Sequence, residues 1–413
     1  MILGIACITS FLTYLHRYSW GVVRPYVKEE YGLSDSMLGY LDSAFSLTYF
    51  LGQFPGGLAG DMWGPRLVIP IAAVLWSVAA AGPALVSGFW QLLTTRLAFG
   101  ATQAPCYPNL GKITGSWFPL SIRTSIQGLV ASFSGRAGGA IAPTLIAFLL
   151  IGTVGLEWRT ALLVMASLGA VFAVAFWSLF RNRPSDHPWS NLAEHELITE
   201  REGKPQAESK SRVNLTPSNV RNVLFFMGAS FCSTFADNLF VFYMPQYLME
   251  AKGLDVVQMG LFAGVPIWGG ALGGMFGGVL NDITIRLLGN RRLARSLVAG
   301  GGKIIAAVLI AASLYVQDGR LVMVVLFFCK FFSDWSQPTW WGTVTDIGGR
   351  AAGGVFGLVN MFGTLGGFIA GVVMGYVNEW YGWTVLFLFV GAVYVLTAIF
   401  WGCVDCTKKL VSE

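Results

Sequence analysis

The feature that most constrains this chain is the recurrence of apolar runs about twenty residues long, the length a helix needs to cross a bilayer. The runs follow one another along the sequence, and most charges fall in the short stretches between them. Of 413 residues, 54% are hydrophobic and only 12% charged, more apolar surface than a soluble core needs. Read by apolar length, the spans number about twelve: 2–25, 37–60, 67–87, 89–113, 123–150, 157–181, 219–248, 255–282, 294–316, 320–345, 352–377 and 382–404. The 51 glycines suit close helix contact in lipid, where small residues let backbones approach. The stretch 1–15 could be a secretory signal. It has no basic leader or cleavage site and runs into His16 and Arg17, so it reads as the start of the first span.

The spans fall into two sets. Between Arg181 and Asn219 the chain turns polar, with Pro184, Pro188, Pro205 and many charges, and reads as a linker, partly helical around 191–202. It separates an N-terminal six-helix bundle (1–181) from a C-terminal one (219–413), with 182–218 between. Arg66, Arg123, Arg181, Arg183, Arg201, Lys204, Lys210, Arg212, Arg286, Arg291, Arg292, Arg295, Arg350, Lys408 and Lys409 all lie on one side. The other side keeps few basic residues, such as Lys28, Arg159, Lys252 and Arg320. Positive charge marks the cytoplasmic side, which puts both termini and the linker in the cytoplasm.

The two sets repeat one another. Gly57-x3-Asp61-x2-Gly64-x-Arg66 closes the second span as a tight turn. Asp61 could cap a helix N-terminus or hold a basic partner there, with Arg66 the nearest. The pattern returns as Gly277 to Asp282, followed by Gly289, Arg291 and Arg292. Arg96, Gln103 and Pro105 are echoed by Lys330, Gln337 and Pro338. Gly128 to Ala142 is echoed by Gly357 to Ala370. Parallel repeats of this kind imply two bundles about an axis along the membrane normal, with a site between them near the midplane.

The chemistry lies in the charges left inside the spans, where they are costly and tend to be functional. The cations are Arg17, Arg96, Arg136, Lys303 and Lys330; the acids are Asp42, Asp237 and Asp334. A cationic surplus suggests an anionic substrate, and arginine grips carboxylate and phosphate alike through paired hydrogen bonds. Each group has a plainer role available. Arg17 shares a helix face with Thr13, Trp20 and Arg24 and could snorkel outward. Arg96 could be a structural hydrogen-bond hub, and Arg136 an interdomain tie. Lys330 and Asp334 stand at i, i+4 and could neutralise each other or be opened by substrate. Lys303 could snorkel. Asp42 fits an outer gate as well as a binding site. Asn360 and the hydroxyls of Tyr14, Tyr49 and Tyr107 are further polar candidates.

Other functions find no footing. The net charge of +5 resides in loops, so it does not indicate nucleic acid. The six cysteines are scattered with no CxxC, which speaks against a disulfide framework or metal site. No nucleotide motif, metal cluster or catalytic triad is present, so neither a cofactor nor an enzyme is expected. A non-transporting sensor would have lost the buried charges.

In its spans and paired turns the chain resembles the major facilitator superfamily over almost its whole length. Tyr14-Leu15-His16-Arg17, Ser43-Ala44-Phe45, Gln53-x-Pro55-Gly56-Gly57, Arg96-x3-Gly100-x3-Ala104-Pro105-x2-Pro108, Trp117-Phe118-Pro119 and Pro184-x-Asp186-His187-Pro188 are similar to its anion:cation symporter branch. That resemblance implies a monomeric secondary transporter of a small organic anion such as a sugar acid. Its alternatives are an organophosphate or phosphate exchanger and a sodium-coupled carrier. It further implies substrate contact at Arg17, coupling at Arg96, and a cavity lined by the spans of Tyr14, Tyr49 and Tyr107.

The chain departs from that branch where coupling is concerned. The branch places an acid just before the span-one arginine and another two helical turns after the span-four arginine; here these are His16 and Gln103. Glutamine cannot titrate. A proton on His16 would sit beside Arg17 and would be favoured by an arriving anion, so linked uptake through His16 is one expectation. Asp237 and Asp334 are the rival proton carriers, and sodium coupling or no coupling completes the set. Asp61, Arg66, Asp282 and Asp42 are expected to act in gating.

Overall fold

The computed structural model describes residues 1–119, 122, 126–190, 216–348 and 352–410, and among them there is no β-strand. The helix expected around 191–202 lies outside the described residues, as do Arg123, His195, Arg201, Lys204, Pro205, Lys210, Arg212 and Arg350.

The helices are α1 (Ile2–Tyr31), α2 (Asp35–Trp63), α3 (Pro65–Leu85), α4 (Phe89–Gln103), α5 (Cys106–Trp117), α6 (Gly128–Thr153) and α7 (Trp158–Leu179). After the linker come α8 (Pro217–Glu250), α9 (Val256–Leu288), α10 (Arg291–Tyr315), α11 (Gly319–Ser333), α12 (Ser336–Gly348) and α13 (Ala352–Cys403). Among the described residues, seven segments are long and apolar enough to cross a membrane: α3, α6, α7, α8, α9, α10 and Gly354–Cys403 of α13. The remaining helices are the ones that carry much of the intramembrane charge. α1 holds His16, Arg17 and Arg24, and α2 holds Asp35, Asp42 and Asp61. α4 and α5 are short pieces separated at Pro105, which has no N–H to continue the helix, and α11 and α12 part at Asp334 and Trp335. Polarity and helix breaks gather where a site could be built.

The local signals at helix ends are ordinary. Ser34 caps α2 by accepting from the Met37 N–H at 3.2 Å, Asn290 caps α10 through Leu293, and Asp318 caps α11 through Arg320 and Leu321. In α13 the backbone reverses at Gly382, φ 76°, a conformation open to glycine, so two expected spans are continuous up to one residue.

The turn expected over 56–66 is far shorter than the sequence suggests. α2 stays helical to Trp63, and Gly64 alone, at φ 79°, makes the bend. The glycines before it serve close approach. A Cβ at Gly56 would lie 2.5 Å from Pro105 Cα, and one at Gly60 would collide with Asn109. Asn109 donates back to the Gly56 carbonyl at 3.0 Å, locking α2 to α5. The repeated motif does the same, with Gly277 against the Trp335 backbone. Asp61 is neither a cap nor a partner of Arg66. It pairs with Lys112 of α5 at 2.6 Å. The bend at Gly64 sends Arg66 the other way, its guanidinium over the Trp177 ring at 5.2 Å and its N–H donating to Asn182. Asp282 lies at the corresponding end of α9, lining a cavity of about 380 Å³ with Arg286, Arg291, Arg295 and Asp346, and Arg295 pairs with Asp346 at 2.8 Å.

Contacts between residues before and after the linker gather at the end opposite these turns. α2 runs against α13, α6 against α9, and α1 against α8. Asp35 is a hub there. It accepts from Gln246 at 2.7 Å and Asn378 at 2.9 Å and pairs with Lys28 at 3.0 Å, and Lys28 also reaches Glu250 at 2.8 Å. Backbones touch across this seam: a Cβ at Gly21 would be 2.5 Å from Val241 O, and one at Gly375 2.6 Å from Asp35 O. Nearer the basic end, Asn360 donates to Gln53 at 3.1 Å. One turn further along, a Cβ at Gly111 or Gly357 would meet nothing within 4 Å.

Candidate functional site

Two charged clusters adjoin at Gly135-Arg136 of α6. The first surrounds Arg17. Its guanidinium donates through Nε and Nη2 to Gln103 Oε1 at 3.3 and 3.1 Å, while Gln103 Nε2 donates to the Thr13 carbonyl at 2.9 Å. The rings of Tyr14, Phe45 and Tyr49 lie 5.1, 5.0 and 4.6 Å from Arg17 Cζ. Tyr107 stands edge-on to Tyr14 and shares a 2.8 Å hydrogen bond with Ser10. A Cβ on Gly135 would be 3.0 Å from the Tyr14 ring and 3.1 Å from the Tyr107 hydroxyl. The three tyrosines singled out from sequence thus form one aromatic cup around Arg17. Among the described residues Arg17 forms no ion pair; its partners are neutral.

The second cluster is built on α8 and the α11–α12 break. Lys330 pairs with Asp237 at 2.6 Å and with Asp334 at 3.0 Å, and Asp334 is also paired with Arg136 of α6. The i, i+4 pairing expected of Lys330 and Asp334 is present, but Asp237 and Arg136 extend it into a four-membered chain. Asp334 is 0% exposed, whereas Asp237 keeps 23% of its side-chain surface. Gly270 is where α9 meets this chain, and a Cβ there would lie 2.9 Å from Arg136 Nη1 and collide with Asp334. Lys303 does not snorkel. It is fully buried, its ammonium donating to Ser233 and Ser333 at 2.8 Å each, because α10 packs against α11 and leaves no path outward.

The other candidates separate from these clusters. Arg96 is buried and donates to the Leu41 carbonyl at 3.3 Å, with Cζ 4.7 Å from the Trp20 ring and 5.0 Å from Phe45. Arg17 Cζ lies at the same 5.0 Å from the Phe45 ring. Asp42 is fully buried, accepts from Trp20 at 2.6 Å and faces Arg24 at 3.3 Å. His16 is turned away from the clusters toward α3 and α7. Its Nδ1 accepts from Trp76 Nε1 at 3.1 Å, so Nε2 carries the proton and donates to the Met165 carbonyl at 2.8 Å. A second proton would break the bond from the indole N–H. Adjacent residues of a helix point about 100° apart, so being next to Arg17 in sequence does not bring His16 to the same face.

Sequence reasoning missed Arg24 as a buried group, the Asp35 hub and the two serines holding Lys303. The spacing of Arg24 from Arg17 was a usable signal. The serines gave none, since one cation's neutral partners are indistinguishable from other span serines.

Long apolar helices with charge pairs buried among them suit a membrane transporter. The major facilitator superfamily model matches residues 6–371, and the chain belongs to that family. It is 29% identical to a probable sulfoacetate transporter of Cupriavidus necator, over 92% of this chain and 87% of the relative. It is 25% identical to a hexuronate transporter of Bacillus subtilis, over 95% and 91%. A probable galactarate/D-glucarate transporter of Escherichia coli is 27% identical over the same shares. The fold is shared with a D-xylose-proton symporter, TM-score 0.76 at 16% identity, covering 98% of each chain. It is also shared with a bacterial homologue of the lysosomal transporter Spinster in an inward-facing, occupied conformation, TM-score 0.74 at 17% identity, over 97% of this chain and 95% of that one.

Proposed function

We propose that this protein carries a small organic anion, a carboxylate such as a sugar acid, across the inner membrane by alternating access. The observation that carries the reading is Arg17, an intramembrane cation within an aromatic cup and without a carboxylate partner. A charge in that setting lacks the acid partners that Lys330 and Arg136 have, and an arriving carboxylate would supply one. The names of the relatives, which include sulfoacetate, hexuronate and galactarate/D-glucarate transporters, point the same way.

Joining α4 to α5 and α11 to α12 as broken spans, and dividing α13 at Gly382, gives twelve spans in two bundles of six on either side of the linker. The basic end is cytoplasmic, with both termini there. The Asp35 hub then closes the outer side, and the structure corresponds to an outward-closed state of a monomeric carrier. Rocking of the bundles would open that seam and close the end holding Asp61 and Asp282. Arg17, Tyr14, Tyr49 and Tyr107 form the substrate cup; Arg136 stands beside it on α6 of the same bundle, and Lys330 and Asn360 belong to the other bundle. If a proton is co-transported, Asp237 and Asp334 suit the task better than His16. They sit in the charge chain that a second anion would disturb, and Asp237 is part-exposed.

The test is uptake into proteoliposomes of sulfoacetate, D-glucarate, D-galacturonate, a sugar phosphate and neutral D-xylose, under pH and sodium gradients. Saturable uptake of at least one carboxylate or sulfonate, with D-xylose excluded, is expected. Transport of neutral sugar alone would end the anion reading. Sugar phosphate carried in preference to every carboxylate would favour an exchanger of phosphorylated compounds. Accumulation driven by the pH gradient should persist in His16→Ala and disappear in Asp237→Asn.

A further inference from the structure

Arg24 is a buried cation whose one acid partner among the described residues, Asp42, leaves its hydrogen-bonding capacity unused. It is 0% exposed, and none of its three guanidinium nitrogens makes a well-aligned hydrogen bond. Asp42 Oδ2 lies 3.3 Å from Nε, and the Tyr243 ring covers the group with its centroid 4.2 Å from Cζ. Asp42 spends its other oxygen on Trp20 at 2.6 Å. A guanidinium has five N–H donors, and burying them without acceptors is expensive, so a side chain held this way calls for a second state in which the donors are used. Arg96 lies nearby on the opposite side of Trp20, with its own Nη2 buried and unbonded.

What covers Arg24 comes from the other side of the linker. Tyr243 belongs to α8 and donates to the Gly371 carbonyl of α13 at 3.3 Å. Both are seam elements, next to the contacts of Gly21 with Val241 and of Gly39 with Gly371. If the seam parts, the Tyr243 ring leaves with α8 and Arg24 is uncovered. Asp42 and Trp20 stay behind, because they lie on α1 and α2. Arg24 and Arg17 are two turns apart on one face of α1, about 10 Å along the axis at 1.5 Å per residue. An anion entering from the opened seam would meet Arg24 first and Arg17 second.

We propose that Arg24 is a second anion-binding station, an outer site for the carboxylate or sulfonate of the substrate that exists only when the outer seam is open. Tyr243 is its cover and Asp42 its stand-in acid when the seam is shut. This rests on the organic-anion reading and on the orientation given above. The bidentate grip of a planar carboxylate by a guanidinium supplies the recognition, and the Asp42 charge keeps the grip weak enough for the anion to move on to Arg17. Because Arg24 is sealed in the outward-closed state, it acts on one face of the membrane only.

The experiment measures apparent KM separately at the outer and inner faces of oriented proteoliposomes. The probe is whichever of sulfoacetate, D-glucarate and D-galacturonate the wild type carries. Arg24→Gln should raise the outer-face KM about tenfold, as expected for one lost charge-assisted contact, and change the inner-face KM less than about twofold. Arg17→Gln should impair both faces. Arg24→Lys should recover part of the outer-face affinity. Arg24→Gln leaves Asp42 buried without its cation, so Arg24→Gln with Asp42→Asn is made as well. This pair removes both charges and should fold and show the same one-sided defect. Equal changes at both faces, or none, in the double variant would overturn the outer station while leaving the anion reading intact. A wild type that carries none of the three probes would overturn both.

Discussion

The two central clusters are built from the same kinds of residue and differ in one respect, compensation. Lys330 pairs with Asp237 and Asp334, and Arg136 with Asp334, so both cations there have an acid. Arg17 has a glutamine oxygen and three aromatic faces. The compensated cluster is a tie: it spans residues on both sides of the linker, and removing one member strands another buried charge. On the proposed reading the uncompensated one is the receptor, and its missing counter-charge arrives from solution. The cation count alone says that the core favours anions. The distribution of acids says where the anion goes.

The largest effect should come from breaking the receptor. Arg17→Gln should lower kcat/KM for the transported anion about 100-fold, the loss of a paired charge-assisted contact. The change in detergent-solubilised stability should be under about 1 kcal/mol, since no ion pair is lost. A large fall in thermal stability with little loss of transport would reverse the assignment of roles.

Breaking the tie should show the opposite balance. Asp334→Asn removes the acid shared by Arg136 and Lys330 and should destabilise the protein by about 3–5 kcal/mol, read as a lower melting temperature. The further change Arg136→Gln in that background should regain part of the loss. If Asp334→Asn is as stable as wild type, the cluster is not a tie, and the contrast with Arg17 disappears.

The comparison is sharpened by moving the seam that frames both clusters. Gly39→Val places a side chain against the Gly371 backbone and should shift the protein away from the outward-closed state. A cysteine placed at Ser43, which is buried in the seam and donates to the Phe368 carbonyl at 2.6 Å, should then be labelled several-fold faster by an impermeant maleimide added outside. Unchanged labelling would mean that Gly39 does not hold the seam.

The smallest effect is expected at the basic end. Asp61 keeps 66% of its side-chain surface, so its pair with Lys112 is worth about 1 kcal/mol at most. Asp61→Asn should slow turnover up to about fivefold with little change in KM, measured by counterflow. Unchanged turnover at normal expression would remove Asp61 from gating.

The sequence was most legible where the governing physics is local. Apolar length marked the membrane-crossing segments at α3, α6 to α10 and α13, though the expected spans at α1, α2, α4 and α11 do not meet the same measure among the described residues, and the family model confirms the class those segments suggested. The i, i+4 rule anticipated Lys330 with Asp334, since helix geometry alone brings them together. Local reasoning failed one residue away from success at His16. Adjacency in sequence places it beside Arg17, yet the helix turns it to Trp76 and Met165. It failed again at Asp61, where the nearest base in sequence, Arg66, is sent off by a single left-handed glycine, and Lys112 approaches from α5 instead.

By itself the sequence determined that this chain spans a membrane, that it carries repeated turns, and that its spans hold more cations than acids. Those are properties of composition and spacing, which add up along the chain whatever its packing. Only the tertiary structure decided which cations are already matched. Arg136 and Asp334 are 198 positions apart, and Lys330 and Asp237 are 93 apart. Ion pairing falls off within a few ångströms, so the decision rests with helices that meet only after folding; among the described residues they give Arg24 Asp42 as a partner and leave Arg17 without an acid.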